Sequence, residues 1–395
     1  MMNWKTAWSY LPINYHVTIG TVENMTQRTF FRNNLSGEKI RIMFSNLYSD
    51  QSLSLESVTI GRKGRTGDVI EAITAVTCQG KEKIDIEPGR AFYSDEMSMT
   101  VSANDDIVIS VYIKASVEIS SVCSTWSART WHTVYGLNGN FTYTQKFQEA
   151  DTSEVLPVLD FDPNKSNNLF AVSAIEVCTG EDVQTVALFG DSITHMSYFA
   201  DALTETLYKD YPGQITVINR GIGGNRLLQD ASRVDIVPGG GTIFGNAGVR
   251  RFRQDMYGST HPDIVIVLIG INDFTHPYAL EHYDEAITAD QYIEGMTELI
   301  RISHENKSRI FLGTVTPFRH EDTLWYGPSE DLRKQANEWI RSQRLSDGII
   351  DFDLAVRKPE DPDCMQDDCH LGDGLHPNCT GGKKMAKAVK IEWIK

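Results

Sequence analysis

The sequence predicts an all-β sandwich or jelly-roll domain over residues 1–180, followed by a three-layer α/β domain built on a parallel sheet over residues 181–395. Three observations carry that expectation. Apolar residues alternate at period two in the first part, as in strands with one buried face. From about residue 183, short unbroken apolar runs alternate with segments of helical period, as in a parallel sheet covered on both faces. A chain of 395 residues is also long enough for two cores of ordinary size.

In chain order, Ile40, Ile42 and Phe44 give the first alternating run, Leu53 with Leu55 and Val58 with Ile60 give shorter ones, and Ile107, Ile109, Val111 and Ile113 give the clearest. Turn signals fall between them at Leu35-Ser36-Gly37-Glu38, Gly61-Arg62-Lys63-Gly64 and Glu87-Pro88-Gly89. No long helical period interrupts this part, which favours a sandwich or jelly roll. Residues 158–170, with Asp160, Asp162, Pro163, Asn164 and Asn167, read as connecting chain. Beyond them, strands are expected at 185–189, 215–218, 264–269, 310–315 and 349–352. Helices are expected at about 198–208, on Ile293, Met296 and Ile300, on Leu332, Ala336, Trp339 and Ile340, and last on Met385, Val389 and Trp393. There is no internal repeat.

Composition narrows the function. A net charge of -16 repels phosphate backbones and anionic lipid, so no nucleic-acid partner is expected. No stretch approaches the roughly 18 apolar residues of a membrane span. The opening Met1-Met2-Asn3-Trp4-Lys5 lacks the basic flank and apolar run of a secretory signal, so a soluble, cytoplasmic chain is expected. The six cysteines, at 78, 123, 178, 364, 369 and 379, are too few and scattered for a disulfide framework, and reduced thiols are the default.

In open α/β sheets functional groups collect past the carboxyl ends of the strands. The first strand exits into Phe189-Gly190-Asp191-Ser192-Ile193-Thr194, the second into Asn219-Arg220-Gly221-Ile222-Gly223-Gly224-Asn225-Arg226, and the third into Gly270-Ile271-Asn272-Asp273. Well after the last strand stands Gly372-Asp373-Gly374-Leu375-His376-Pro377. An unaided serine hydroxyl is a poor nucleophile and needs a base within hydrogen-bond reach that is itself held in one tautomer. His376 is the candidate base, and Asp373, three residues earlier, lets one loop deliver both groups.

These four blocks resemble, in order, the consensus blocks of the GDSL/SGNH hydrolases. The resemblance covers roughly residues 185–395, and it implies an SGNH (flavodoxin-like) domain with Ser192, Asp373 and His376 as catalytic triad. It further implies an oxyanion hole made by the backbone N–H of Ser192, the backbone N–H of Gly224 and the side-chain amide of Asn272, alignment favouring Gly224 over Gly223. The β region resembles the N-terminal β domain of a bacterial subgroup of these esterases through Arg28-Thr29-Phe30, Lys39-Ile40-Arg41-Ile42-Met43-Phe44-Ser45-Asn46 and Thr130-Trp131-His132, residues that many sandwich domains would also match.

Each residue has a plainer reading. Ser192 alone would more often cap the following helix, an isolated Asp-x-x-His pair would more often be a loop hydrogen bond, and Asn272 could simply brace a turn. Asp273 reads as structural. Asp191, His195 and Arg226 are substrate-pocket candidates; Arg220 and Arg226 either form a local positive rim or face solvent. The second block is no dinucleotide fingerprint, since Arg226 stands where the last glycine belongs, and no Gly-x-Ser-x-Gly elbow is centred on a strand exit. Cys364, Cys369, His370, His376 and Cys379 crowd together in a spacing that fits no common zinc pattern, and His376 could not be both ligand and base, so no metal is expected.

The expectation is therefore a serine esterase acting on carboxylic esters, short acyl chains favoured and acetyl groups on carbohydrate among the candidates, with no cofactor. Its partner would be a small-molecule or carbohydrate ester. The rivals are a lipase or lysophospholipase of the same superfamily, a metal-dependent hydrolase, and a carbohydrate-binding protein whose second domain does not turn over.

Overall fold

A computed structural model describes residues 2–64, 69–148, 152–153, 167–180, 182–235, 237–320 and 327–394. The chain divides into two compact units, Met1–Val183 with Tyr208–Ile218, and Gln184–Leu207 with Asn219–Lys395.

The first unit is antiparallel. One sheet runs Asn3–Ser9, Val172–Thr179, Gly37–Ser45, Ala91–Tyr93, with Met97–Val101 also paired to Gly37–Ser45. A second runs Thr152–Ser153, Trp131–Gly136, Met25–Arg32, Asp106–Ile113, Ser57–Lys63, Ile70–Ala75. Period-two alternation has the expected result: Ile40, Ile42 and Phe44 of the one sheet share a single buried core with Phe31, Ile107, Ile109 and Val111 of the other. Two stretches far apart in sequence prove to be neighbours, with His132 opposite Phe30 and Thr133 opposite Thr29. There the Phe30 and His132 rings stack 4.7 Å apart and the Thr29 and Thr133 hydroxyls hydrogen-bond at 2.9 Å. Those residues build the sheet.

The α/β part of the chain is wound on five strands: β1 (Gln184–Gly190), β2 (Ile215–Gly221), β3 (Ile264–Leu268), β4 (Arg309–Gly313) and β5 (Gly348–Ile350), in the order 2-1-3-4-5. β1 with β3, β3 with β4 and β4 with β5 pair in parallel. β3 is buried at every position, as a strand covered on both faces must be. The helices are α1 (Ser192–His195), α2 (Tyr198–Asp210), α3 (Gly248–Tyr257), α4 (Ile271–Ala279), α5 (Ala289–Glu305), α6 (Gly327–Ser342), α7 (Phe352–Val356) and α8 (Cys379–Ala388). Strand order reverses at β1, so the crevice between the carboxyl ends of β1 and β3 is the topological switch point where such sheets bind ligands.

Several local expectations need correcting. Gly61-Arg62-Lys63 is strand, not turn, because Arg62 pairs with Ile107 on one side and Glu71 on the other. Asn167–Leu169 is a short strand on Ser121–Thr125, so connecting chain does not extend to 170; residues 158–166 lie outside the described residues. The last helix stops at Ala388, and Trp393 sits in a separate 3-10 turn, Ile391–Trp393, stacked on Phe311 at 5.1 Å. α3 and α4 were not anticipated, α4 because it opens within a strand-exit block and contains Pro277.

Candidate active site

β1 ends at Gly190, and Asp191 caps α1 by accepting the Ile193 N–H at 3.1 Å. That removes the capping role from Ser192. Its Oγ instead lies 2.9 Å from Nε2 of His376, whose Nδ1 lies 2.6 Å from Oδ2 of Asp373. A carboxylate that close to Nδ1 accepts its proton, leaving Nε2 free to accept the Ser192 hydroxyl proton. Asp373 Oδ1 also accepts the N–H groups of Leu375 and His376, each at 2.9 Å. Burial would raise this carboxyl, but the His376 hydrogen bond and charge, with those two N–H groups, outweigh it and hold the pKa at about 2. Ser192 is 7% exposed, while the His376 and Asp373 side chains are 17% and 42% exposed, so the relay opens outward.

The loop carrying Asp373 and His376 is tied to itself. Leu371 N–H donates to His376 O at 2.9 Å, and the Gly372 and Gly374 N–H groups both donate to Nδ1 of His370 at 3.0 Å. Asn378 closes it, capping α8 through the Thr380 and Gly381 N–H groups and donating from Nδ2 to the Asp368 and His370 carbonyls. His370 is thus a loop brace. Among the described residues no three of His, Cys, Asp and Glu are grouped to hold a metal ion, and all six cysteines are free thiols.

Across from this loop lie the N–H donors. The backbone N–H groups of Ser192 and Gly224 donate to no acceptor among the described residues, whereas the Gly223 N–H donates to Nδ1 of His195 at 3.0 Å. That supplies a physical reason to prefer Gly224 to Gly223. Gly224 has φ +69° with the Phe244 ring against it, 2.1 Å from where a Cβ would stand, so a side chain there would strain the backbone and displace the ring. At the exit of β3, Gly270 turns at φ +131° with the Tyr292 ring 2.6 Å from a would-be Cβ, which lets α4 start at once and places Asn272 in its first turn. Asn272 Nδ2 donates one proton to Asn225 O at 3.0 Å and keeps a second.

The remaining candidates are inside the protein. Asp191 is 0% exposed and cannot line a pocket; burial, aided by the negative charge of Asp273, raises its pKa to about 7. His195 is buried as the acceptor for Gly223. Arg226 is buried, paired with Glu285 and donating to Asp230 O, and Arg220 is buried on Asp255 O, so neither forms a rim or faces solvent. Asp273 is structural: its two oxygens accept the Leu227 and Leu228 N–H groups at 2.6 and 2.9 Å, and burial raises its pKa to about 6. Reading the motifs missed Arg251 on α3 and the side chain of Asn225, which no local pattern marks as belonging together.

A doubly wound sheet with a hydroxyl, an imidazole and a carboxylate in series at its switch point defines a hydrolase-type α/β protein. Residues 188–384 match the GDSL-like lipase/acylhydrolase family, and through them the chain belongs to that family. Among solved structures it is similar to LAE5, an alpha/beta hydrolase enzyme from the metagenome of Lake Arreo, Spain, at 20% identity, covering 52% of this chain and 92% of that one with a TM-score of 0.39. It is also similar to the acetyl xylan esterase AlAXEase, at 20% identity over 52% and 96% with a TM-score of 0.38. A third is a GDSL-like lipase from Bacteroides thetaiotaomicron, at 17% identity over 53% and 87%, TM-score 0.38. No curated protein matches the chain. No helix among the described residues is long and apolar enough to cross a membrane.

Proposed function

We propose that this family member is a serine esterase in which Ser192 carries the acyl group. The observation that carries the proposal is the unbroken series from Ser192 Oγ through both ring nitrogens of His376 to Asp373, at 2.9 and 2.6 Å. As Ser192 attacks the ester carbonyl, its proton passes to Nε2 of His376, and Asp373, ionised with a pKa of about 2, stabilises the imidazolium. The developing oxyanion meets the N–H groups of Ser192 and Gly224 and the second amide proton of Asn272, groups already in place before the charge appears. The tetrahedral intermediate collapses, the alcohol leaves with the proton from His376, and an acyl-Ser192 ester remains. Water then gives a proton to His376 and attacks that ester; Ser192 leaves as the alcohol and the carboxylic acid is released. The scheme calls on no metal or organic cofactor.

A short acyl group is the part of the proposal that graded substrates decide. Acetyl esters of carbohydrate are the substrate class favoured here. Hydrolysis of p-nitrophenyl esters of graded acyl length, by wild type and Ser192→Ala in chelator-containing buffer, tests the reading. Turnover that is greatest on acetate and vanishes in the variant supports it. Equal activity in both proteins overturns it, and a maximum at long acyl chains moves the reading to a lipase.

A further inference from the structure

The guanidinium of Arg251 is buried and is tied at once to the donor loop, to the end of β1 and to the end of β2. Its Nε donates to Asn225 Oδ1 at 2.9 Å, its Nη1 to Arg220 O at 2.9 Å and Asp255 Oδ2 at 2.7 Å, and its Nη2 to Gly190 O at 3.0 Å. The guanidinium carbon stands 4.1 Å over the Phe189 ring. Gly190 is the last residue of β1, two before Ser192; Arg220 lies at the end of β2; Asn225 follows Gly224. One planar group therefore spans two strand exits and the loop that follows the second, a task suited to a five-donor fork.

We propose that Arg251 is a positioning residue that sets the oxyanion donors, an inference that rests on the esterase reading. Asn225 transmits the effect. Its Nδ2 donates to Phe244 O and Asn246 O at 2.7 and 2.8 Å, so its amide has one orientation, with Oδ1 turned to Arg251. Its backbone carbonyl accepts from Asn272 Nδ2, and its peptide neighbour is Gly224. Two of the three donors are thus oriented through Asn225, while the Gly190 contact holds the turn that presents the third. Asp255, one helical turn along α3, neutralises the cation locally, so the contribution is geometric rather than a field at the oxyanion. Charge that develops only in the transition state is sensitive to donor placement, and a displacement of about 1 Å costs on the order of 100-fold in rate.

The test uses the full chain and p-nitrophenyl acetate, with folding followed by thermal unfolding of every variant. Arg251→Lys keeps the charge and loses the fork: kcat per folded molecule is expected to fall about 10- to 100-fold with KM within about 3-fold, because ground-state binding does not use these donors. In Arg251→Ala, guanidinium at a low, non-denaturing concentration restores part of kcat, and the same addition does nothing for Asn225→Ala. The Arg251→Lys/Asn225→Ala double variant is no slower than the slower single variant, since both break one chain of contacts. Unchanged kcat in folded Arg251→Lys, or strictly additive losses in the double variant, overturns the inference. If Arg251→Ala does not fold, Arg251→Lys and the double variant still decide. Ser192→Ala run alongside separates the two readings: activity that survives in it removes the esterase itself, whereas activity that needs Ser192 and ignores Arg251 removes only the positioning role.

Discussion

The two loops that meet at Ser192 are held in opposite ways. The Asp373/His376 loop is half-exposed and bonded within itself, its contacts running from His370 to Gly372 and Gly374 and from Asp373 to Leu375 and His376. The loop that runs from the half-buried Gly223 and Gly224 into the buried Asn225, Arg226 and Leu227 is bonded to distant elements: Gly223 to His195 on α1, Asn225 to Arg251 on α3, Leu227 and Leu228 to Asp273 on α4. In the proposed mechanism the group that exchanges protons with substrate and water sits on the first, and the groups that stay fixed while charge appears sit on the second. The difference suggests a division in which the first loop carries chemistry and little stability, and the second carries both.

The largest expected effect sharpens that division. His376→Ala should cost about 10,000-fold or more in kcat on p-nitrophenyl acetate, because the relay acts as a unit. Asn272→Ala, which removes one donor and leaves the relay intact, should cost about 100- to 1000-fold, and steady-state kinetics on the same ester compares the two. Next comes stability. Asp273→Asn leaves one buried N–H of Leu227 or Leu228 without an acceptor oxygen and should destabilise by about 1–3 kcal/mol in denaturant unfolding. Asp373→Asn, on the open loop, should change stability by less than about 1 kcal/mol while removing activity. Equal destabilisation by the two would break the comparison.

The remaining effect is a pH slope, a change with conditions rather than a single loss. Asp191 has a folded pKa of about 7, above the ordinary 3.8, so between those values the folded chain holds a proton that the unfolded chain has released. Its contribution to stability therefore falls as pH rises from about 4 to about 7, by at most about 1.4 kcal/mol per pH unit. Asn caps helices as well as Asp does. Asp191→Asn should then gain stability relative to wild type as pH rises through that window, measured by denaturant unfolding at stepped pH, and a difference that stays flat would show that burial does not hold the proton on Asp191.

The same contrast explains what could be read in advance. Asp373 and His376 fall within four residues, so their loop was legible as a motif, and the apolar runs of β1 to β5 announced a parallel sheet. Ser192 could be singled out because a strand exit is where such sheets present their chemistry. The pocket candidates Asp191, His195 and Arg226 all turn inward: neither nearness to Ser192 in sequence, for the first two, nor a place in the second strand-exit block, for Arg226, says which side of the backbone a side chain takes. Arg251 could not be found this way, since its partners at 190, 220 and 225 are joined to it only by the packing of α3 on the sheet. Short-range bonds leave a pattern in the chain, and long-range ones do not.

Covalent capture shows whether Ser192 is the nucleophile. Wild-type protein is treated with a p-nitrophenyl phosphonate, residual esterase activity is followed, and the digested protein is mapped by mass spectrometry. The expected result is one phosphonyl group per chain, on Ser192, with activity lost in proportion to labelling. Full activity in protein whose Ser192 is completely modified, or inactivation with the label on another residue, would contradict it.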